Sequence, residues 1–432
     1  MSAATVLAPG VAKREAWAWA LFDFANSGYT TVVITAVFNT YFVAVVVGDA
    51  PWATFAWTAA LAVSHVILMV AGPILGAWAD VRAAKKRLLA ISTAGCVIAT
   101  AGLALAGPGD VGLAVLFLVI SNACFGAGEN LIAAFLPELA DEQGAGRLSG
   151  WGWGLGYLGG ILALGLCLIY IDRAVANGLT TTDAVPGTML ITATLFALFS
   201  LPAFIWLKER AVPQKTALPS LAAEGRRLLR TLRSARAFPD LRRFLACLAF
   251  SQAGVAAVIA LAAIYAQQAM GFSTRETLIL ILVVNVTAAL GSVAFGYVQD
   301  RIGHVRAIAA TLVGWLAMVG LASQAEGAAL FWVAANLAGV CLGSSQASGR
   351  AFIAVLTPPS RQGEFFGLWG LANRFAAIAG PLSYGLATWL SGGNHRLAIL
   401  TTGAYFVVGL WLLWGVNAER GRRAALASPP LT

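Results

Sequence analysis

Long apolar runs separated by short polar segments are the dominant pattern along this chain of 432 residues. A membrane-spanning helix needs about 20 mostly apolar residues, and no run alternates with a period of two, which excludes a transmembrane β-barrel. The pattern therefore predicts an all-α membrane protein with twelve transmembrane helices. In order, they cover residues 17–47, 52–79, 88–107, 111–136, 149–171, 187–207, 244–270, 277–299, 306–325, 329–356, 364–390 and 396–416. We expect the first helix to be tilted or broken near Gly28.

The composition agrees with a membrane location. Hydrophobic residues make up 59% of the chain, charged residues make up 11%, and the mean hydropathy is +0.80. Soluble domains carry about 25% charged residues, so a soluble enzyme, a nucleic-acid-binding module and a disordered chain are excluded. The five cysteines lie in apolar runs without a Cys-x-x-Cys pair, and the three histidines are scattered. We expect no disulfide, no metal site and no cofactor.

The net charge of +9 comes from the loops. Nearly all of the 28 lysines and arginines fall in one set of alternate loops, which the positive-inside rule places in the cytoplasm together with both termini. We expect a monomeric, multi-pass protein of the bacterial plasma (inner) membrane that binds no nucleic acid. Tryptophans near predicted helix ends are assigned to the membrane–water interface: Trp17, Trp19, Trp52, Trp78, Trp206, Trp389 and Trp414.

The longest and most basic loop divides the chain into two sets of six helices. We predict an N-terminal bundle at 1–207, a cytoplasmic linker at 208–243 and a C-terminal bundle at 244–432. Within the linker, leucines on one helical face with arginines opposite predict an amphipathic helix that rests on anionic lipid. These leucines are Leu221, Leu228, Leu229 and Leu232.

Two similar segments stand 220 residues apart, which indicates an internal duplication. The first reads Gly76-Ala-Trp-Ala-Asp80-Val-Arg82, and the second reads Gly296-Tyr-Val-Gln-Asp300-Arg301-Ile-Gly303-His-Val-Arg306. A glycine one turn before the aspartate permits close helix contact, and the carboxylate can cap the start of the next helix or pair with arginine. We interpret both segments as parts of a cytoplasmic gate, with these residues: Gly76, Asp80, Arg82, Gly296, Asp300, Arg301, Gly303 and Arg306.

Four ionisable residues lie inside predicted helices: Asp23, Glu129, Arg350 and Arg374. Such a residue costs at least ~2.5–3.5 kcal/mol at a helix centre on insertion scales, so each must face a partner or water. One interpretation is a polar cavity in which carboxylates accept protons or substrate amines and arginine binds a substrate carboxylate. The other is a set of salt bridges that hold the cytoplasmic side shut. Four amides are assigned to the same cavity, although each also fits interhelical hydrogen bonding: Asn26, Asn130, Gln346 and Asn373.

The second gate segment resembles the loop signature of the major facilitator superfamily, and the first departs from it at Ala83-Ala84. Further blocks resemble the UMF1 or Atg22-like family, although Arg374 stands where lysine is common. The blocks are Trp19-Ala-Leu-Phe-Asp23-Phe-Ala-Asn26-Ser27, Phe135-Leu-Pro137-Glu138-Leu, Gly146-Arg147-Leu-Ser149-Gly150, Gly156-Tyr157-Leu-Gly159-Gly160, Gln346-Ala-Ser-Gly-Arg350, Glu364-Phe-Phe-Gly367 and Gly380-Pro381. The resemblance implies two pseudo-symmetric six-helix bundles that rock around a cavity lined by helices 1, 4, 7 and 10.

The sequence thus predicts a secondary active transporter of a small organic solute, not an enzyme. Eukaryotic relatives in the resembled family are associated with amino-acid efflux from vacuoles, which implies an amino acid or a similar zwitterion. Proton coupling is left open. So are two other classes, a transport-inactive scaffold or sensor with the same fold and a membrane-embedded transferase. The transferase would need clustered acidic or His-Asp residues in a sizeable aqueous loop, and the sequence has none.

Overall fold

The computed structural model describes residues 6–48, 50, 52–141, 144–211, 213, 238–272, 274–392 and 394–427, and this part of the chain is almost entirely helical. The long helices are α1 (Lys13–Val46), α2 (Ala53–Arg82), α3 (Lys85–Gly102), α4 (Val111–Ala133), α5 (Ala145–Ala176), α6 (Thr181–Trp206), α7 (Pro239–Ile264), α8 (Thr274–Ile302), α9 (His304–Gln324), α10 (Ala328–Leu356), α11 (Gln362–Leu390) and α12 (His395–Trp414). A short helix, α13 (Ala418–Leu426), follows them. The predicted twelve-helix order is confirmed.

Within the described residues, eleven helices are long and apolar enough to cross a membrane by length and composition. The remaining long helix is α11, which has 29 residues and is therefore long enough to span. Its apolar residues are interrupted by Asn373, Arg374 and several glycines. These residues lower the hydropathy of α11, and the site described below explains their presence.

Both gate segments lie on helix ends. Residues 76–82 end α2 and residues 296–302 end α8, so both helices continue about one turn past their predicted ends. The chain then turns at equivalent positions with positive φ, 49° at Ala83 and 88° at Gly303. Glycine adopts such a φ without steric penalty, whereas alanine does so at a cost. The first segment therefore turns at the corresponding position but in another conformation, since Ala83 is left-handed helical with ψ 52° and Gly303 has an extended ψ of 157°.

Helix α1 is irregular where the sequence indicated a break. It is a regular α-helix from Lys13 to Tyr29 and widens into a π-helical segment at Thr30–Ala36, directly after Gly28. Helix α7, the first helix of the second half, is extended by a similar π-helical segment at Tyr265–Ala269. The two halves therefore share this local irregularity as well as the repeated gate segment.

The two halves meet along two main seams, α2 against α11 and α5 against α8 and α10, and α4 also contacts α11. Small residues allow the close approach, as in other membrane helix pairs. A Cβ on Gly150 of α5 would lie within 2.4 Å of the Ser292 carbonyl oxygen in α8, and one on Gly76 of α2 would overlap the Gly363 carbonyl of α11. A Cβ on Gly165 or Gly385, in the far halves of α5 and α11, meets no atom within 4 Å.

We call the end of the molecule that carries residues 80–87, 139–141, 144–147, 207–211, 300–306 and 358–364 the basic end. The tight glycine contacts lie in the half of the structure nearest to it, so the molecule is closed at the basic end. The predicted amphipathic helix of the linker falls on residues 214–237, outside the described residues, and it stays a prediction together with the domain boundaries.

Candidate functional site

The first intramembrane ion pair joins the two halves of the molecule. Arg350 of α10 approaches Asp23 of α1 with an Nη1–Oδ2 distance of 2.6 Å, and the side chains are only 3% and 10% exposed. Arg350 also donates from Nε to Ser149 Oγ (3.1 Å) and from Nη2 to the Ser149 carbonyl (3.0 Å) on α5. One guanidinium of the C-terminal half therefore binds two helices of the N-terminal half.

Aromatic rings and a glycine enclose this pair. The Arg350 guanidinium carbon lies 4.5 Å from the Trp19 ring centroid and 5.3 Å from that of Trp153, both in cation–π range. A Cβ on Gly152 would lie 2.5 Å from Asp23 Oδ2 and 2.6 Å from Arg350 Nη2. The pair thus fits only because position 152 has no side chain.

The assignment of Trp19 to the membrane interface is wrong. Its side chain is fully buried and donates from Nε1 to the Ile132 carbonyl at 2.7 Å. Trp17, two residues earlier, is 54% exposed and fits the interface. Both tryptophans lie near the helix end, so position in the sequence could not show which side chain is buried. Their directions differ, because Trp19 faces Arg350 and Trp17 does not.

The second intramembrane pair also crosses between the halves but is more open. Arg374 of α11 donates from Nη2 to Glu129 Oε2 of α4 at 2.7 Å, and the Glu129 side chain is 29% exposed. The Arg374 Nε is buried without a hydrogen-bond partner in the described structure. Arg374 is also close enough to His65 and Tyr29 to act on them electrostatically. This pair is partly exposed and has an unused donor.

The structure places the four amides assigned to the cavity in different surroundings. Asn130 is buried in α4 against Gly370 of α11, beside the second ion pair. Gln346 exchanges long hydrogen bonds of 3.3 and 3.4 Å with Gln252, both within the C-terminal half. Asn26 is buried on α1, and Asn373 is half-buried.

Two small internal spaces occur in the described structure. One lies within the C-terminal half, lined by Gln252 and Thr311 among others, and one lies beside Asn130 between α2, α4 and α11. Neither is lined by any of the four charged residues. In this closed arrangement, the four charged residues contact one another in two pairs that cross between the halves.

The aspartate of the first gate segment caps a helix of the other half. Asp80 accepts hydrogen bonds from the backbone N–H groups of Gly363 and Glu364, both at 2.9 Å, at the first turn of α11. A carboxylate is stabilised at that position by the unpaired N–H groups and the helix dipole. The sequence predicted a cap on the next helix, and the capped helix is instead the one packed on Gly76.

The second gate segment repeats this arrangement. Asp300 accepts from the backbone N–H groups of Gly146 (2.9 Å) and Arg147 (3.1 Å) at the first turn of α5, and from Arg147 Nε at 2.7 Å. Gly296 packs on the Gly146 carbonyl, as Gly76 packs on Gly363. The predicted pairing with arginine is therefore present here, across the two halves. The other basic residues of the segments lie exposed: Arg82, Arg301 and Arg306.

A buried lysine adds a contact that the sequence analysis missed. Lys85 is 1% exposed, forms an ion pair with Glu138, and donates to Gln362 Oε1 of the other half at 2.8 Å. Its ammonium lies 5.0 Å from the Phe135 ring centroid. In the sequence, Lys85 stands out only as one of several loop charges. The signal was present in the Phe135-Leu-Pro137-Glu138 block, whose carboxylate needed a cation.

The arrangement can do two things chemically. The Asp23–Arg350 ion pair and the charge-assisted hydrogen bonds at the two capped helices can hold the basic end closed. The Glu129–Arg374 pair can exchange its carboxylate for another one, because it is partly exposed and has a free donor. The described residues contain no group of three potential metal ligands.

Comparisons with known proteins agree with the geometry. The sequence matches the family profile described as "Vacuole effluxer Atg22 like" over residues 42–426. The MFS-type transporter YxiO of Bacillus subtilis is 28% identical over 407 residues, covering 93% of this chain and 94% of its own. Autophagy-related protein 22-1 of Neosartorya fischeri is 25% identical over 307 residues, 65% of this chain and 49% of its own. The match thus covers about half the length of this fungal relative.

Solved structures show the same fold. The human organic anion transporter MFSD10 (TETRAN) superposes with a TM-score of 0.74 at 15% identity, over 93% of this chain and 99% of that one. A bacterial homologue of the iron transporter ferroportin in an outward-facing state gives 0.71 at 15% identity, again over 93% and 99%. The proton:xylose symporter XylE gives 0.67 at 16% identity, over 93% and 94%. The matched family and folds are those of transporters, not enzymes.

Proposed function

The chain belongs to the Atg22-like family of vacuole effluxers, and from this membership we propose that it is a secondary active transporter of amino acids or similar zwitterions. The Glu129–Arg374 pair is the observation that carries the substrate class. An arginine can hold a substrate carboxylate through two parallel hydrogen bonds, and the displaced Glu129 can accept the substrate ammonium. A zwitterion would therefore replace both halves of this pair.

The Asp23–Arg350 pair has a different proposed role, as part of the gate. Its side chains are more buried than those of the Glu129–Arg374 pair and are enclosed by Trp19. A substrate therefore reaches it only after the basic end opens. Protonation of Asp23 would cancel its charge and release Arg350. Such a release of Arg350 on protonation supports proton coupling. XylE, which has a similar fold, is described as a proton:xylose symporter.

We further propose that the basic end is cytoplasmic and that the protein lies in a bacterial plasma membrane. The positive-inside rule supports this orientation, and a Bacillus subtilis protein matches nearly the full length of the chain. The structure, closed at the basic end, then corresponds to an outward-facing state. The halves 1–207 and 244–432 would rock about their seams, joined by 208–243.

Flux measurements on reconstituted protein test the proposal. Vesicles containing the purified chain are loaded with a radiolabelled amino-acid mixture, and efflux is followed with and without a pH gradient. We expect Glu129→Gln to reduce flux by tenfold or more, because the substrate ammonium loses its negatively charged partner, and Asp23→Asn to make flux insensitive to the gradient. Asp172→Asn, at an exposed position near the other end of α5, is the matched control and should behave as wild type.

Two results would refute the proposal. Absence of flux for every amino acid, with protein that unfolds cooperatively on heating, would exclude the substrate class. Equal flux by the Glu129→Gln variant and the wild type would remove Glu129 from the site. Retained dependence of Asp23→Asn on the pH gradient would remove only the proton-coupling role.

A further inference from the structure

The short helix α13 is fixed across the basic end of the C-terminal half. Its small residues face the bundle, where a Cβ on Gly421 would lie 2.5 Å from the Leu356 Cδ2 atom of α10. Asp240, which is 1% exposed at the start of α7, accepts from the Asn417 backbone N–H at 2.8 Å and from Arg420 Nε at 2.8 Å. These contacts fix the rotation of α13 about its axis.

The opposite face of α13 is basic and points away from the bundle. Arg420 and Arg423 have side chains 58% and 80% exposed, and Arg422 and Arg242 are exposed as well. The acid on this face, Glu419, is 80% exposed and pairs with Arg423 at 2.9 Å, an interaction worth little in water. Arg420 is held by Asp240, so we define the α13 patch as the other three arginines, Arg242, Arg422 and Arg423, together with Trp414.

Apolar residues border this basic surface. Trp414, the last residue of α12, is 90% exposed, and Leu426, the last residue of α13, is 61% exposed. An exposed indole beside arginines at the end of a transmembrane helix is typical of the headgroup layer, where the ring has one apolar and one polar environment. An acidic soluble partner would complement the charge but would leave these apolar side chains without a matching environment.

We propose that the α13 patch binds the phosphate headgroup of an anionic phospholipid. The arginines contact the phosphate, for which the guanidinium fork is suited, while Trp414 and Leu426 contact the glycerol and upper acyl region. The fixed orientation of α13 distinguishes this site from the general attraction of a basic loop to anionic lipid. The site lies outside the ion pairs assigned to transport, so it does not depend on the substrate.

Lipid titration of the full chain in neutral detergent tests the site. Dispersed phosphatidylglycerol or phosphatidylcholine is added, bound lipid is counted by native mass spectrometry, and the midpoint of binding is compared between variants. An arginine near an anionic membrane surface is worth about fivefold in affinity, so Arg422→Gln with Arg423→Gln should weaken phosphatidylglycerol binding about thirtyfold. The charge-conserving double variant, Arg422→Lys with Arg423→Lys, should show less than half of that loss of phosphatidylglycerol binding.

The matched control removes two exposed charges at the same end of the other half, Lys13→Gln with Arg14→Gln. We expect this variant to bind phosphatidylglycerol as the wild type does. An equal loss in the control would mean general electrostatics and would overturn the proposal. So would equal binding of phosphatidylcholine, unchanged binding by the Arg422 and Arg423 variant, or full competition by glycerol phosphate, which lacks acyl chains. Binding of a soluble acidic polypeptide in preference to the lipid would assign the surface to a protein partner.

Discussion

Replacing Asp23 with asparagine should open the basic end. Asparagine has nearly the same shape as aspartate but carries no charge, so the change leaves Arg350 buried without its counter-ion. It also mimics the protonated form of Asp23. In the closed structure, Arg350 keeps its two hydrogen bonds to Ser149 and its contact with Trp19, which limits the perturbation to one ion pair.

The expected size follows from the burial of the pair. Removing one partner of a buried ion pair costs about 3–5 kcal/mol, because the remaining charge is uncompensated. When the basic end opens, Arg350 gains water, so the penalty applies mainly to the closed state. At about 1.4 kcal/mol per factor of ten, the ratio of open to closed molecules should rise roughly 10²- to 4 × 10³-fold.

Electron–electron distance measurements can detect this shift. Spin labels at Arg87 and Ala427, both exposed at the basic end in different halves, report their separation after alanine replaces the five native cysteines. Wild-type protein should give one short distance distribution, and Asp23→Asn should give a dominant longer one. Lowering the pH should lengthen the wild-type distances and leave those of the variant unchanged.

A double variant provides the sharpest control. Removing both charges of a buried pair is often close to neutral, so Asp23→Asn combined with Arg350→Gln should be less open than Asp23→Asn alone. Asp172→Asn controls for loss of an acid elsewhere. Two results would show that the ion pair does not hold the basic end closed. One is that Asp23→Asn gives wild-type distances. The other is that the effects of Asp23→Asn and Arg350→Gln on the distances simply add in the double variant.

Three further changes use the same distances or thermal unfolding. Asp300→Asn should lengthen the distances more than Asp80→Asn, since only the Asp300 carboxylate forms a cross-half ion pair, and equal shifts would contradict this. Gly363→Ala should also open the basic end, because its Cβ would lie 2.5 Å from a carbonyl oxygen across the seam, while Gly385→Ala on the same helix should have no effect. Ala83→Gly should stabilise the chain by about 0.5–1 kcal/mol by relieving its positive φ, and an unchanged unfolding midpoint would refute that strain.

The sequence predicted the helices and the presence of four charges inside them, because hydropathy depends on local composition. It could not predict which carboxylate pairs with which arginine. Asp23 and Glu129 lie in the same half, and Arg350 and Arg374 both lie in the other half, so charge balance allows either pairing. The choice is made by the packing of α1 on α5 near Arg350 and of α4 on α11 near Arg374.

The partners of the gate residues could not be predicted from the sequence either. The repeated aspartates were visible at once, and their capping role followed from residue type. Their partners were not, since Asp80 bonds to residues more than 280 positions away. Lys85 was missed for a related reason, because a lysine beside a helix end is ordinarily exposed, and only tertiary packing shows that Glu138 and Gln362 enclose it.

The two gate segments differ in the charges that surround their aspartates. The Asp300 carboxylate meets the positive Arg147 at the start of α5, whereas the Asp80 carboxylate meets the negative Glu364 at the start of α11. Glu364 forms an ion pair with Arg361, with an Oε1–Nη2 distance of 2.6 Å, and Lys85 also attracts Asp80. At the α2–α11 seam, the negative charges of Asp80 and Glu364 are thus balanced by Lys85 and Arg361. At the α5–α8 seam, Asp300 instead forms an ion pair directly with Arg147 across the seam. Loss of one charge therefore weakens the two seams by different amounts, although their backbones are built alike.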